Sequence, residues 1–175
     1  MSRILRYSVA ASLDGFIADA HGGFSWIPAD PAIDFAAMFA QYDTLVMGRH
    51  TYEVAQSAGP DGLALWSQHR IVVCSTTLNP AEHPGVDVVG HDVEEYVRAL
   101  KQDAGKDIWL FGGGVLFRRL LEAGLVDEVE VAIVPILLGS GVPLLPGSSR
   151  PTTLRHTSHH FYEASGMHLV RYTVD

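Results

Sequence analysis

Runs of Val, Ile and Leu alternate along this 175-residue chain with segments of helical spacing, and this alternation restricts the possible folds most strongly. The part from about 152 to 174 is typical of two further strands, "TLRHTSHHFYEA" and "MHLVRYTV", joined by a turn at Ser165 and Gly166, and it predicts an antiparallel end. Strands that alternate with helices predict an α/β fold with a mostly parallel central sheet and helices on both faces. The strand-like runs fall at 3–11, 43–48, 70–75, 86–89, 107–112 and 128–138.

Helix signals lie between these runs. Asp30 followed by Pro31 is a favourable start, and it predicts a helix over 30–42. Asp92 precedes an amphipathic segment that extends to Gln102, and a segment from about Val115 ends at Gly124. A shorter helix is predicted over 49–56.

Composition limits the class of protein. A length of 175 residues with 47% hydrophobic residues predicts one well-buried domain over 1–175, and the formal charge of -8 disfavours nucleic acid and anionic membranes as partners. The single cysteine, Cys74, excludes an intramolecular disulfide and lies in an apolar run, so we expect it in the core. The first residues do not resemble a signal peptide, and we expect a cytoplasmic protein.

The turn "GRHTYE" (48–53) follows a predicted strand. Gly48 ends the strand, and Arg49, His50 and Thr51 stand at a predicted helix start. Free N–H groups at such a start favour an anion, and an Arg guanidinium can hold phosphate through two hydrogen bonds. The pattern indicates a phosphate site, and it is equally typical of an ordinary strand-to-helix turn with a surface Arg.

The triglycine in "IWLFGGGVLF" (108–117) also joins a strand to a helix. One glycine suffices for a turn, whereas three allow a bulky anion such as a pyrophosphate to approach the backbone and the helix dipole. No Lys follows, which disfavours a P-loop, and the dinucleotide pattern G-x-G-x-x-G is absent. A third strand ends in Ser75, Thr76 and Thr77, whose hydroxyls suit a ribose or its phosphate, or a simple Ser/Thr turn.

Taken in order, these segments resemble the dihydrofolate reductase-like fold over nearly the whole chain. The matching segments are "SVAASLDGFIA", "GRHTYE", the hydroxyl-ended strand and "FGGGVLF". Within that fold, "SLDGFIA" and "VDEVEVAIVPILLGSGVPLL" are most similar to the reductase domain of the riboflavin-pathway deaminase-reductases and their stand-alone relatives.

The resemblance implies NADPH as the cofactor and a cis peptide between the first two glycines. It also implies contacts one position at a time. The nicotinamide would contact Ala10, Ala11 and Ile17; phosphates would contact Gly48, Arg49, His50 and Thr51; the 2′-phosphate would contact Arg49, Ser75 and Thr76; and the pyrophosphate would contact Gly112, Gly113, Gly114, Val115 and Leu116.

The implied reaction is hydride transfer to a C=N or carbonyl-type acceptor in a small heterocyclic or ribosylamino-pyrimidine-like substrate. Phe16 stands where the riboflavin reductases have a lysine, and it is expected at the substrate. Trp26 is either a lid residue over the substrate or equally a hydrophobic staple before the first helix. Asp14 or Asp34, kept partly protonated by burial, or a water held by one of them, would supply the proton. Each acid also has a structural interpretation, Asp14 in a turn and Asp34 at a helix start.

Three alternatives concern function and assembly. Asp34 is the positional candidate for holding a pterin, which would make the chain a dihydrofolate reductase, and a non-catalytic NADP(H)-binding module is the other alternative. Relatives of this kind are commonly homodimers, and the apolar segment 135–146 would serve as the dimer contact or wall the substrate pocket. His156, His159 and His160 are expected at the surface or an interface rather than at a metal.

Overall fold

The computed structural model describes residues 2–57, 66–147 and 150–175. Within these residues the strands are β1 (Leu5–Ser12), β2 (Phe16–Ala18), β3 (Tyr42–Gly48), β4 (Arg70–Cys74), β5 (Val86–Val89), β6 (Asp107–Gly112), β7 (Glu128–Val134), β8 (Val142–Pro143), β9 (Leu154–Tyr162) and β10 (Met167–Val174). The helices are α1 (Phe35–Phe39), α2 (Arg49–Ser57), α3 (Val93–Gln102) and α4 (Gly114–Glu122), with a short 3-10 helix at Pro80–Glu82.

Eight strands form one sheet in the order β5-β4-β3-β6-β1-β7-β10-β9. The strands from β5 to β7 in this order are parallel to their neighbours, whereas β10 is antiparallel to β7 and to β9. The predicted sheet, with its antiparallel C-terminal end, is confirmed. In such a sheet, the carboxyl ends of the parallel strands lie along one edge, where ligands bind.

Side chains of alternating direction give the sheet two packed faces. On one face, Leu5 and Tyr7 are fully buried with α3 and α4, and the Tyr7 ring stacks on Phe117 with centroids 3.9 Å apart. On the other face, Leu45 and Trp109 pack with α1 and α2. Helices therefore cover both faces, as the sequence predicts.

Charged side chains form pairs on the face of the sheet that contains Trp109, in the part made by β1, β7 and β10. Arg6 donates to Glu128 at 2.6 Å, and the buried Glu130 accepts from Ser8 Oγ and from Arg171 Nε, both at 2.7 Å. Because an unpaired buried ion costs several kcal/mol, on the order of 3–5 when one partner is removed, these pairs favour the observed register of the three strands.

Three sequence predictions are corrected by the structure. The first helix begins at Phe35 with Asp34 as its N-cap, whereas Asp30 is buried and accepts from the backbone N–H of Ser165 at 3.0 Å. Strand β7 ends at Val134, so residues 135–138 lie outside the strand. Asp92 precedes α3 but makes no side-chain capping hydrogen bond.

The short antiparallel pair β2 and β8 was not predicted. Phe16 lies opposite Pro143 and Ala18 lies opposite Val142, so a segment after β7 returns to the loop after β1. A Cβ on Gly141 would lie 2.1 Å from Ala18 O, which shows how closely the two backbones approach. This second sheet brings residues from the C-terminal half beside the loop that contains Asp14.

Candidate functional site

The ends of β3, β4 and β6 lie side by side. In the sheet register, Gly48 is opposite Cys74 and Met47 is opposite Gly112, so the turns that follow the three strands meet at one edge. These are the three turns that the sequence singles out as candidate phosphate contacts. The structure brings them together.

The triglycine turn packs against Thr51. The peptide between Gly112 and Gly113 is cis, as the resemblance implied. A Cβ on Gly112 would lie 3.3 Å from Thr51 Oγ1, and one on Gly113 would lie 3.8 Å from that same atom. Gly112 is buried and Gly113 is half-buried, so Thr51 packs closely on the turn at a position where a side chain on Gly112 would meet it.

Helix α4 begins directly after this turn, with Gly113 as its N-cap and no side-chain capping bond. The first intrahelical bond is donated by Phe117 to Gly113 O at 3.0 Å, so the N–H groups before Phe117 have no partner within the helix. Val115, in the same turn, is 66% exposed. N–H groups without a partner in the helix, together with the helix dipole, favour an anion at this position.

Gly114 has a different reason to be glycine. A Cβ there would lie 2.6 Å from Pro143 O, 3.0 Å from Leu144 O and 2.8 Å from Pro146 Cδ. The segment that contains β8 therefore crosses directly over the start of α4. The resemblance implies a pyrophosphate contact for Gly114, and no local signal in the sequence indicates its contact with "PILLGSGVPLL".

Arg49 begins α2 beside the triglycine turn. Its side chain is half exposed, and Nη1 donates to Glu53 Oε1 one helical turn later at 2.8 Å. An exposed pair of this kind is weak, about 0.2–1 kcal/mol, so the guanidinium can exchange Glu53 for a phosphate at little cost. His50 is also exposed, and its Nε2 would be 3.6 Å from a Cβ on Gly22, in the loop after β2.

The Ser75 hydroxyl closes its own turn. Ser75 Oγ accepts from the backbone N–H groups of Thr77 at 3.2 Å and Leu78 at 3.0 Å. Thr76 is exposed, and Gly90 allows close packing because a Cβ there would lie 3.3 Å from Ser75 O. The geometry is that of a Ser/Thr turn, and the contact of Ser75 and Thr76 with a ribose or its phosphate stays a prediction.

Three residues were expected at the nicotinamide. Ala11 is buried in the core with α3 and α4, and Ile17 packs against the same core. Ala10 points to the opposite face of the sheet and is half-buried. Ala11 can therefore contact a ligand at this edge through its backbone, while Ala10 can offer its side chain.

Asp14 does not have the burial that would keep it protonated. The carboxylate is exposed and accepts from Ser12 Oγ at 2.6 Å, from Gly139 N at 2.7 Å and from Leu138 N at 3.1 Å. The Ser12 hydroxyl first, then the Gly139 and Leu138 N–H groups, lower the pKa of Asp14. The expectation of a partly protonated acid at this position is corrected.

Asp34 is likewise exposed, and its carboxylate accepts from the backbone N–H of Ala37 at 2.8 Å, capping α1. Its expected burial is absent too. Of the two substrate candidates, Phe16 is half-buried in β2, and Trp26 Nε1 donates to Gly23 O at 3.1 Å. Trp26 is thereby tied to the loop that approaches His50.

Cys74 and three histidines are the remaining residues that the sequence singles out. Burial raises the pKa of the Cys74 thiol to about 12, and Cys74 packs against the core as expected. His156, His159 and His160 lie exposed on β9, and the described residues contain no group of three or more His, Cys, Asp or Glu placed to hold a metal. No helix in the described part of the chain is long and apolar enough to cross a membrane.

Two surface cavities lie away from this edge. One, of about 290 Å³, is lined by Tyr52 and Trp66 among others, and one of about 470 Å³ is bordered by Phe35, Phe39 and Lys106. The second lies near the amino ends of β3 and β6, the end of the sheet opposite the three turns. We assign neither cavity to the candidate site, because neither is lined by the residues predicted to contact phosphate.

Comparisons with known proteins agree with this geometry. Residues 3–166 match the RibD C-terminal domain family. The uncharacterized protein YyaP of Bacillus subtilis (strain 168) is 34% identical over 145 residues, which cover 78% of this chain and 77% of YyaP. Riboflavin biosynthesis protein RibD of Corynebacterium ammoniagenes is 26% identical over 148 residues, but this match spans only 44% of RibD.

Solved structures give the same result. A candidate riboflavin biosynthesis protein from Shewanella sp. PV-4 has a TM-score of 0.82 at 27% identity, covering 100% of this chain and 99% of that one. The Thermotoga maritima diaminohydroxyphosphoribosylaminopyrimidine deaminase/5-amino-6-(5-phosphoribosylamino)uracil reductase has a TM-score of 0.70 at 18% identity, covering 99% of this chain and 57% of that one. At that identity, the second likeness shows the fold alone.

Proposed function

The chain belongs to the RibD C-terminal domain family, and on this premise we propose that it is an NADPH-dependent reductase acting on a small heterocyclic, ribosylamino-pyrimidine-like substrate. The observation that carries the proposal is the meeting of three turns at one sheet edge, where Thr51 packs on the triglycine turn and α4 begins. An anion-binding edge of this kind suits a cofactor with a pyrophosphate and a 2′-phosphate.

The proposed contacts follow the three turns. Gly112, Gly113 and the first turn of α4 would receive the pyrophosphate, with the α2 start beside them. Arg49 would leave Glu53 to hold the 2′-phosphate, with Thr76 beside it, while Ser75 keeps the turn closed. Ala10, Ala11 and Ile17 would line the nicotinamide, which supplies the hydride when NADPH is bound.

The proton for the acceptor is proposed to come from a water. Asp14 is held ionised by its three donors, so it is a poor proton donor near neutral pH. Asp34, the other candidate acid, adjoins Phe35, which borders the cavity at the amino ends of β3 and β6, so we do not assign the water to it. Phe16 and Trp26 would line the substrate. That residues 1–175 form one domain and that the chain is cytoplasmic both stay predictions.

The direct test is binding followed by turnover. NADPH at submillimolar concentration should raise Tm, and NADP⁺ should compete with it. Loss of NADPH absorbance at 340 nm should then follow addition of a ribosylamino-pyrimidine, with a pterin and a flavin as comparison acceptors. Absence of any NADPH effect on Tm would refute the cofactor, and binding without oxidation by any acceptor would favour the non-catalytic alternative.

We also propose that the chain forms a homodimer through β9. This nine-residue strand lies at the edge of the sheet, and its residues from Leu154 to Phe161 are exposed. A long open edge is a template for pairing, and an antiparallel second copy satisfies its backbone groups. The segment 135–146 is less suitable than its composition indicated, because Leu144 and Leu145 pack against the chain's own core.

A charge on the exposed edge tests this dimer. Phe161→Lys, at a side chain 47% exposed on β9, should convert the dimer to a monomer in light scattering over a range of concentrations. Phe24→Lys, at a side chain 54% exposed in a loop, is the matched control and should leave the mass unchanged. A wild-type monomer at all concentrations would refute the homodimer.

A further inference from the structure

Residues 136–147, which we call the strap, connect two parts of the candidate site. At one end, Leu13 N donates to Ile136 O at 2.9 Å, and Asp14 accepts from the N–H groups of Leu138 and Gly139. In the middle, β8 pairs with β2, and Leu144 N donates to Gly15 O at 2.9 Å. The strap is thus bound along the whole 13–18 segment.

The other end of the strap is fixed on α4. Arg118 Nη1 donates to Pro146 O at 3.2 Å and to Gly147 O at 3.4 Å. The carbonyls of Pro143 and Leu144 lie where Gly114 has no Cβ. The strap therefore spans from the segment that contains Phe16 and Ile17 to the first turn of α4.

Asp14 is the only side chain of the 13–18 segment for which a hydrogen bond to the strap is described. Both carboxylate oxygens are used, Oδ1 by Leu138 and Oδ2 by Gly139, and Ser12 Oγ fixes the carboxylate from its own side. Hydrogen bonds to an ionised acceptor are stronger than neutral ones. The carboxylate therefore holds the backbone N–H groups of Leu138 and Gly139 in the strap.

We propose that Asp14 is a positioning residue: its carboxylate fastens the strap to the 13–18 segment and so holds that segment at a fixed distance from the start of α4. The cofactor consequence rests on the function proposed above. If the start of α4 takes the pyrophosphate and the 13–18 segment lines the nicotinamide, the strap sets the spacing between the two contacts. A fixed spacing favours binding of a ligand that contacts both the start of α4 and the 13–18 segment. It has no effect on the binding of a ligand that contacts neither.

The first measurement does not depend on any cofactor. Amide hydrogen exchange of Leu138 and Gly139, followed by NMR in the full chain, should be about tenfold faster in Asp14→Ala. Asp19→Ala is the matched control, since Asp19 Oδ1 accepts from the N–H groups of His21 and Gly23, both at 2.8 Å. It should accelerate exchange at those two amides and leave the strap unchanged. Unchanged exchange of Leu138 and Gly139 in Asp14→Ala overturns the proposal, whether or not NADPH binds.

The second measurement tests whether the strap contact of Asp14 affects cofactor binding. Asp14→Ala should raise the Kd of NADPH about tenfold and leave that of adenosine 2′,5′-bisphosphate, which lacks the nicotinamide half, unchanged. Asp14→Asn keeps one acceptor oxygen and should show a smaller change, which guards against misfolding of the Ala variant. Equal weakening of both ligands overturns the coupling, whereas a wild type that binds neither refutes the proposed function and leaves the exchange result to decide the strap contact.

Turnover separates positioning from acid catalysis. With an acceptor, the Asp14 variants should raise the KM for NADPH and keep the pH profile of kcat. Loss of a limb of that profile in Asp14→Asn would identify Asp14 as the acid and overturn the positioning role.

Discussion

The Thr51 hydroxyl lies against Gly112, so that a Cβ on Gly112 would be 3.3 Å from Thr51 Oγ1 and 3.7 Å from Thr51 Cγ2. Gly112 also has a φ of +147°, which residues other than glycine rarely adopt. Gly112→Ala therefore meets both a strained backbone, which costs on the order of 1–3 kcal/mol, and a close neighbour. We expect loss of NADPH binding by tenfold or more in isothermal titration calorimetry.

The control for backbone strain alone is Gly124→Ala. Gly124 has a φ of +66° after α4, and a Cβ there would meet no atom of the described residues within 4 Å. This variant should lower Tm but leave the Kd of NADPH unchanged. If both variants weaken NADPH equally, the Gly112 effect reflects general destabilisation and not the turn.

Arg49 is expected to distinguish NADPH from NADH. Arg49→Ala removes the proposed partner of the 2′-phosphate and should raise the Kd of NADPH by about 10- to 100-fold, with little change for NADH. Arg49→Lys keeps the charge without the two-pronged geometry and should lie between wild type and Ala. Equal losses for both cofactors would contradict the assignment.

Glu53→Gln is the companion change, because Glu53 holds Arg49 in the free protein at 2.8 Å. Releasing an exposed ion pair frees about 0.2–1 kcal/mol, so NADPH should bind up to about fivefold more tightly. The effect should diminish at high salt. Weaker binding in Glu53→Gln would show that Glu53 itself orients Arg49 for the ligand.

Local sequence was sufficient for four of the strands and for the larger helices. The apolar runs that became β3, β4, β5 and β6 were located within one residue at each end, because each buries side chains on both faces of the sheet. Helices α3 and α4 were equally clear from their spacing. The triglycine and "GRHTYE" turns could be paired in advance only through the resemblance, since nothing local brings Thr51 to Gly112.

Contacts distant in sequence explain what was missed. Asp30 before Pro31 is a good local helix start, but its carboxylate binds Ser165, which is 135 residues away. The helix begins later, at Phe35 with Asp34 as its N-cap. In the same way, the backbone N–H groups of Leu138 and Gly139 donate to Asp14, which is distant in sequence. A carboxylate can cap a local turn or a distant one, and the sequence alone does not distinguish the two.

Asp30 should make the stability of the fold depend on acid pH. The Ser165 hydroxyl, followed by the Ala32 N–H group, lowers the pKa of this carboxyl in the folded state. Its contribution is therefore complete above the unfolded pKa of about 3.9 and is lost as pH falls through the lower folded value. Asp30→Asn should have a lower Tm than wild type at pH 7, and this difference should shrink below about pH 4. A difference that stays constant down to pH 2 would contradict the assigned cause.

Gly114→Ala tests whether the strap or helix propensity dominates at the start of α4. Alanine favours a helix over glycine by at most about 1 kcal/mol, so propensity alone predicts a more stable protein. The Cβ would, however, lie 2.6 Å from Pro143 O and 2.8 Å from Pro146 Cδ, and overpacking of this kind costs about 1–3 kcal/mol. We therefore expect net destabilisation in urea unfolding, together with faster amide exchange along the strap. Val115→Ala, at the exposed neighbouring position, should leave stability within about 0.5 kcal/mol of wild type. A Gly114→Ala protein as stable as wild type would show that the strap moves away from α4 at little cost, and that its position there does not constrain the site.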